Sequence, residues 1–378
     1  MKKYIYFDNA ATTIGKPECV SRAVIAALEH YGNPGRSGHD LSIVGASEIY
    51  NCRKAVCRLF GFDMPERVVF THNATLALNL AIKGLAQNNS HIIISNFEHN
   101  SVIRPVHSLS EDKNKNITYS VFDATGTESE IIYDFRSKLK PNTKMAVVTL
   151  ASNVTGRILP IAEISQICKK RGIILICDAS QAAGSVPINV KLLGVDVLCF
   201  AGHKSLYGPQ GTGGVVFCCK NEPQNIIEGG NGVNSAEKSM TGQLPERLEA
   251  GTLNTPGICG LAAGIGYISK IGINEIFERN TALINRLTER LSNIDGIKLY
   301  GITDYRTPTL IFNKEDTCSE ELARLLNERR ICVRGGFHCS PLAHTSLSTG
   351  ECGAVRASLS FTNTFSEIDA FALAVDKL

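Results

Sequence analysis

The chain has 378 residues, with 39 Lys+Arg against 36 Asp+Glu, a formal net charge of +3, 43% hydrophobic and 20% charged residues. These figures describe a globular protein large enough for two domains, and without a basic block or RNA-binding signature they make nucleic acid a poor direct partner. No stretch approaches transmembrane length, and Met1 to Thr13 holds two lysines but no apolar signal core, so no membrane is expected and a cytoplasmic location is.

The 13 cysteines are odd in number and scattered without framework spacing. Cys177, Cys199 and Cys218 lie in apolar runs, where cysteine is a small core residue. With no CxxC pair, no zinc or other metal is expected; a reducing compartment follows, in which one thiol is free to be reactive.

Residues 1–16 contain Tyr6-Phe7-Asp8-Asn9-Ala10-Ala11-Thr12-Thr13, too short and turn-rich for a domain, and are expected to cross from a small domain to the site. A helix is predicted from about Pro17 to Tyr31, with proline in its first turn and apolar residues at helical spacing. The loop Asn33 to His39 is dense in backbone-permissive residues and carries Arg36. Asp40 to Phe60 reads as a long helix.

From Arg67 strands alternate with helices, the pattern of a parallel sheet covered on both faces. Strand Val68 to Thr71 runs into His72-Asn73-Ala74-Thr75 and a helix to about Leu85. The free N–H groups at that helix start, with the Thr75 hydroxyl, make a natural phosphate cradle, although Asn and Thr also cap helices without any ligand. Ile92 to Ser95 delivers Glu98-His99-Asn100, and a histidine just past a strand end either lies on a heterocyclic ring and exchanges protons or is structural. Met145 to Leu150 ends in Ser152 to Gly156, making Asn153 a candidate contact for a ring oxygen or a substrate carboxylate.

The run Ile173 to Ile176 brings Asp178 to a strand end, and Val195 to Phe200 leads into Gly202-His203-Lys204. An acid and an amine thus reach the sheet edge at which open α/β proteins bind ligands. That pair has a shared use with pyridoxal phosphate: the carboxylate keeps the pyridinium nitrogen protonated while the lysine holds the aldehyde as a Schiff base. Taken singly, Asp178 reads as a helix cap and Lys204 as a surface lysine.

Beyond Lys204, Ser205 to Gly214 is glycine-rich and lets the backbone pass close to a cofactor before strand Val215 to Cys218. Glu228 to Pro245 has no period and reads as a surface loop or hairpin; Arg247 to Pro256 leads into a helical pair over Gly257 to Ile294. From Lys298 to Leu378, strands (Pro308 to Phe312, Ala354 to Phe361) alternate with helices (Glu320 to Arg329, Ser366 to the end). The expected division is an N-terminal segment 1–16 packing with the small domain, a large domain 17–256 and a small α+β domain 257–378.

In order, Tyr6 to Ala11, Glu98-His99, Ser152-Asn153, Asp178 to Gln181, Gly202-His203-Lys204, Arg247 to Thr252, Arg334-Gly335-Gly336-Phe337-His338-Cys339 and Arg356-Ala357-Ser358 resemble the fold-type I, class V pyridoxal phosphate enzymes. Within that class they resemble the cysteine desulfurases and selenocysteine lyases of the second group. The resemblance implies an α/β fold, its mainly parallel sheet covered by helices, with a smaller C-terminal α+β domain. By position it implies Lys204 as the Schiff-base lysine, Asp178 under the pyridine nitrogen, Gln181 on the ring hydroxyl and His99 stacked on the ring. Thr75, His203 and the Ala74 backbone would hold the phosphate, and Thr252 from a second subunit would complete that cradle in a homodimer.

Cys339 falls at the family's catalytic cysteine and Arg356 at its carboxylate clamp, where a two-pronged guanidinium suits the ligand. Asn153, Ala11, Arg334 and Arg36 are the further implied substrate contacts. The implied reaction moves sulfur from L-cysteine onto Cys339 as a persulfide and releases alanine. A sulfur-acceptor or scaffold protein would then carry the sulfur to iron–sulfur or thio-cofactor assembly. His338 and Arg334 are expected to lower the pKa of the thiol. Two alternatives stay open: a lyase acting on L-selenocysteine, and a class V aminotransferase or lyase in which Cys339 is not catalytic. The sequence departs from the family pattern at Ala201, where a phosphate-binding hydroxyl is usual, and at Phe337-His338, where paired histidines are usual.

Overall fold

The apolar runs between residues 68 and 217 become one seven-stranded sheet in the computed structural model, which describes residues 4–34, 37–234, 236–240 and 242–378. Its strand order is Val68–Thr71, Gly213–Phe217, Val197–Ala201, Ile174–Asp178, Thr143–Thr149, His91–Ser95 and Thr118–Phe122. Six of the seven are buried along nearly their whole length, as continuous apolar strands require when both faces are covered. The period of two sorts their side chains. Ile92, Ile94, Met145, Val147, Ile174 and Ile176 enter one core with helices Ala74–Leu85 and Asn100–Glu111. Ile93, Ala146, Val148, Leu175 and Cys177 enter the other with helices Asp40–Phe60, Ile161–Arg171 and Thr255–Ile271. Each such side chain contributes about 1.5–3 kcal/mol when fully buried.

One strand reverses. Gly213–Phe217 is antiparallel to both neighbours, whereas the other pairs in this sheet are parallel. The segment from Lys204 to Gly213 contains no helix, and a parallel return needs a crossover of a dozen or more residues. Because Val68–Thr71 pairs antiparallel with the reversed strand, it again points the same way as the rest. The carboxyl ends at Thr71, Ser95, Thr149, Asp178 and Ala201 therefore share one edge.

A second sheet, Val355–Ser358, Thr309–Lys314 and Ile297–Tyr300, is antiparallel and packs with helices Ile273–Ser292, Ser319–Glu328 and Phe365–Asp376 around Phe7, Leu287, Leu310, Phe312, Leu322 and Phe371. The N-terminal strand Ile5–Tyr6 pairs with Ile331–Cys332, so the first residues join this unit. The division expected at residue 257 moves. Helix Thr255–Ile271 puts Ile258, Leu261, Ile265 and Ile268 into the large core, and the small core starts with Leu283 on the next helix, after a bend of 81° between the two.

Candidate active site

At the shared edge lies a cavity of about 230 Å³, lined among others by Ala10, Ala11, Ala74, Thr75, His99, Asn153, Asp178, Gln181, His203, Lys204, Arg334 and Arg356. Asp178 is the last residue of its strand and 3% exposed. One of its carboxylate oxygens accepts from the Ser180 backbone N–H at 2.8 Å and from the Ser180 hydroxyl at 2.5 Å, which fixes the group in place. Lys204 follows strand Val197–Ala201 by three residues; burial pulls its amine down to about 8, against the opposing pull of Asp178.

His99 caps helix Asn100–Glu111: its Nδ1 accepts from the Ser101 N–H at 3.1 Å and lies 2.8 Å from the Ser101 hydroxyl. An Nδ1 that accepts leaves the proton on Nε2. Burial, then the charge of Lys204, lowers His99 to about 4, so the ring is neutral. Just before it, the buried Glu98 accepts from the Ser95 hydroxyl at 2.5 Å and the Thr149 N–H at 2.8 Å, and burial pushes its carboxyl up to about 8. A protonated Glu98 therefore braces two strand ends behind the histidine.

The helix start at Ala74 is capped by Asn73, whose side chain accepts from the Leu76 N–H at 2.9 Å, leaving first-turn N–H groups for an anion. A Cβ at Gly213 would come within 2.7 Å of the Asn73 backbone, so glycine lets the reversed strand approach this turn. His203 sits across from it, neutral because burial lowers it to about 4, its Nδ1 3.1 Å from the Thr12 hydroxyl. Its carbonyl accepts from the Lys16 amine at 2.6 Å. Gln181 donates through Nε2 to the Ala10 carbonyl at 3.0 Å, so both N-terminal alanines are held at the rim.

The opposite wall comes from the small unit. Arg356 is 2% exposed; Nη2 pairs with Asp8 at 2.8 Å, Nη1 donates to the Asn153 carbonyl at 3.0 Å, and Nε is buried without a protein partner. Asn153, expected as a ring or carboxylate contact, lines the cavity and also holds the loop beyond it. Its Nδ2 donates to the His338 carbonyl at 2.9 Å and its Oδ1 accepts from the Ser340 hydroxyl at 2.8 Å, so it ties down the loop bearing Cys339. That loop also receives the Asn100 N–H on the Cys339 carbonyl at 2.7 Å. His338 and Cys339 have φ of 52° and 57°, left-handed backbone that favours glycine.

Cys339 is exposed, and Arg334 Nη2 lies 3.9 Å from its sulfur. The expectation that His338 assists the thiol needs correction. Its Nε2 donates to the Arg334 carbonyl at 3.0 Å, which makes Nδ1 an acceptor from His344 Nε2 at 3.0 Å, and His344 Nδ1 in turn accepts from the Thr349 hydroxyl at 2.9 Å. Both ring nitrogens are engaged away from the sulfur, and burial lowers His338 to about 2, so it stays neutral.

Thr252 is not in this cavity. It lines a separate cleft of about 250 Å³ with Asn33, Tyr50, Arg53 and Glu249, where Arg53 and Glu249 form a buried ion pair of 2.7 Å. Arg36 lies outside the described residues. Asp8, Ser101, Ser180, Glu98, Ser340 and His344 were not singled out by sequence reasoning. For Ser101 and Ser180 the signal was present, a hydroxyl two residues past a functional side chain; for Asp8 no local signal exists.

The family model of the class-V aminotransferases matches residues 5–371. A protein from Xylella fastidiosa (strain Temecula1) named probable cysteine desulfurase is 35% identical, over 100% of this chain and 91% of its own. One of the same name from Pyrococcus abyssi is 32% identical over 100% of this chain and 94% of its own. The apo structure of a cysteine desulfurase from Thermococcus onnurineus NA1 aligns with a TM-score of 0.91 at 31% identity, covering 99% of this chain and 94% of that one.

Proposed function

Because the chain belongs to the class-V aminotransferase family, and within it to the cysteine desulfurases, we propose that it takes sulfur from L-cysteine as a persulfide on Cys339 and releases L-alanine. The observation that carries this reading is an exposed thiol beside the cavity that holds Lys204 and Arg356, close enough for its charge to bear on both.

Pyridoxal phosphate fits the cavity: a depressed lysine amine faces a buried carboxylate, a helix start offers N–H groups, and neutral histidines stand on either side. Lys204, Asp178, Gln181 and His99 would hold its ring and aldehyde, and Ala74, Thr75 and His203 its phosphate. When bound, the cofactor supplies an electron sink for the substrate Cα. The side chains do the rest. Arg356, on the cavity wall, receives the substrate carboxylate, with Asp8 and the Asn153 carbonyl setting the guanidinium plane. Lys204 Nζ, lowered towards neutrality, takes the Cα proton. The Cys339 sulfur, 3.9 Å from Arg334 Nη2, takes the substrate sulfur as the substrate C–S bond breaks, and the carbon skeleton, reprotonated, leaves as alanine.

The exposed Thr75 side chain leaves the phosphate end open, and the exposed Thr252 lies in a cleft of its own. We therefore read the working enzyme as a homodimer in which each Thr252 completes the partner's cradle, and a sulfur-acceptor protein as the recipient of the persulfide. The test is anaerobic turnover of cofactor-loaded protein with cysteine, quantifying alanine and sulfide, beside Cys339→Ala. Alanine formation that depends on the thiol supports the reading; undiminished alanine formation by the variant overturns the role of Cys339.

A further inference from the structure

Two cysteines that this reaction does not use, Cys318 and Cys352, lie together beside the catalytic loop. Cys318 immediately precedes helix Ser319–Glu328, and Cys352 precedes the strand that carries Arg356. Independent backbone contacts fix their proximity. The Ser319 hydroxyl donates to the Cys352 carbonyl and accepts the Gly336 N–H at 3.1 Å, while Gly353 bridges Gly336 and Ala354 donates to the Gly336 carbonyl at 3.2 Å. Three stretches of chain thus converge, with Gly335-Gly336 running between the two cysteine-bearing segments. A Cβ at Gly335 would come within 2.6 Å of the Ser319 carbonyl, and one at Gly353 within 2.3 Å of the Gly336 carbonyl, so side chains there would prevent the approach. The two thiols are near enough to bear on each other's ionisation, Cys352 is exposed and Cys318 partly so.

We propose that Cys318 and Cys352 are a reversible dithiol–disulfide site, oxidised by low-molecular-weight disulfides, whose closure ties together the two segments that flank the Gly335-Gly336 stretch of the catalytic loop. The thiols are unequal in the way such a site needs. Cys318 is held below its ordinary value by the neighbouring Cys352 and by backbone N–H groups at the helix start, with Glu320 opposing, whereas Cys352 is held above its own by the neighbouring Cys318. Cys318 thiolate attacks one sulfur of glutathione disulfide, forming a mixed disulfide and expelling one glutathione thiolate. Cys352, losing its proton, then attacks the Cys318 sulfur and expels the second. Two protein thiols are oxidised, one glutathione disulfide is reduced to two thiols, and the ring closed from 318 to 352 contains Arg334 and Cys339. Restricting that stretch in the unfolded chain stabilises the oxidised fold.

The test uses full-length, cofactor-loaded protein in a Cys339→Ala background, so that the catalytic thiol does not react. After incubation with millimolar glutathione disulfide, peptide mapping is expected to recover a Cys318–Cys352 linked peptide, without retained glutathione, that dithiothreitol reverses. Tm is expected to rise by roughly 2–6 °C. Adding Cys318→Ser or Cys352→Ser is expected to abolish the linked peptide and the Tm rise; Cys352→Ser is expected to trap glutathione on Cys318, and Cys318→Ser to leave Cys352 free. Recovery of both thiols free, of stable glutathione adducts on both, or of the same Tm rise in the serine variants overturns the proposal.

Discussion

On the sheet side of the cavity Asp178, His99 and Asn73 are oriented by near neighbours in sequence, Ser180, Ser101 and the Leu76 N–H, while Gln181 and His203 reach back to Ala10 and Thr12. On the small-unit side the partners are far apart in the chain, with Asn153 bonded to His338 and Ser340, 185 and 187 positions away, and Arg356 to Asp8, 348 positions away. The cofactor wall thus needs the central sheet and only the short segment Ala10 to Thr12 besides. The thiol wall exists only after the N-terminal strand and the small unit have docked. The difference separates holding a cofactor from using it, and use can be lost while the cofactor stays bound.

The sharpest way to break that separation is Lys204→Ala, which is expected to remove both the cofactor's lysine-linked absorbance and turnover, the latter by about 10³-fold or more, read by spectrum and alanine release. Cys339→Ala is expected to keep the spectrum and Tm while sulfide release falls to background, because only the far wall is touched. Asp8→Asn tests the long-range pair: loss of a buried charge-assisted bond is expected to raise KM for cysteine about tenfold with a smaller change in kcat. If kcat falls and KM holds, Asp8 is not setting the guanidinium. Ser340→Ala leaves the side-chain Oδ1 of Asn153 unpaired, a loss of about 1–3 kcal/mol, expected as faster proteolysis near Cys339 with the cofactor spectrum unchanged.

The last test sits on the sheet side and reads stability, not turnover. Glu98 is raised to about 8 in the fold against an ordinary value of 4.5, so between those pH values the folded protein holds a proton that the unfolded chain releases. Stability accordingly falls as pH climbs through that window. Glu98→Gln cannot ionise; its Tm is expected to match the wild type near pH 4.5 and exceed it above pH 8. Parallel Tm-versus-pH curves for the two proteins would remove Glu98 as the buried proton holder.

Legibility in the sequence follows the same line. Asp178 and Lys204 stand out because apolar runs end at them, and the helices at 40–60 and 74–85 are bounded as their spacing predicts. The reversal of Gly213–Phe217 was hidden because strand direction depends on what the connection can span, not on strand composition. The pairing of Asp8 with Arg356 and the bonds from Asn153 to His338 and Ser340 were missed for a further reason: a carboxylate and an amide carry no mark of partners beyond the local chain. His338 next to Cys339 invited a proton-transfer role, yet the backbone turn between them sends the imidazole towards His344.

The left-handed backbone at His338 and Cys339 carries a consequence for how this sequence is maintained. Glycine occupies such angles without steric penalty, whereas a side chain there is strained by about 1 kcal/mol or more. A library randomised at position 339 and sorted only for folded protein should enrich glycine over cysteine, while one sorted for sulfide release should return cysteine. The reactive sulfur is held uphill of the fold's own preference, and only selection for chemistry keeps it there.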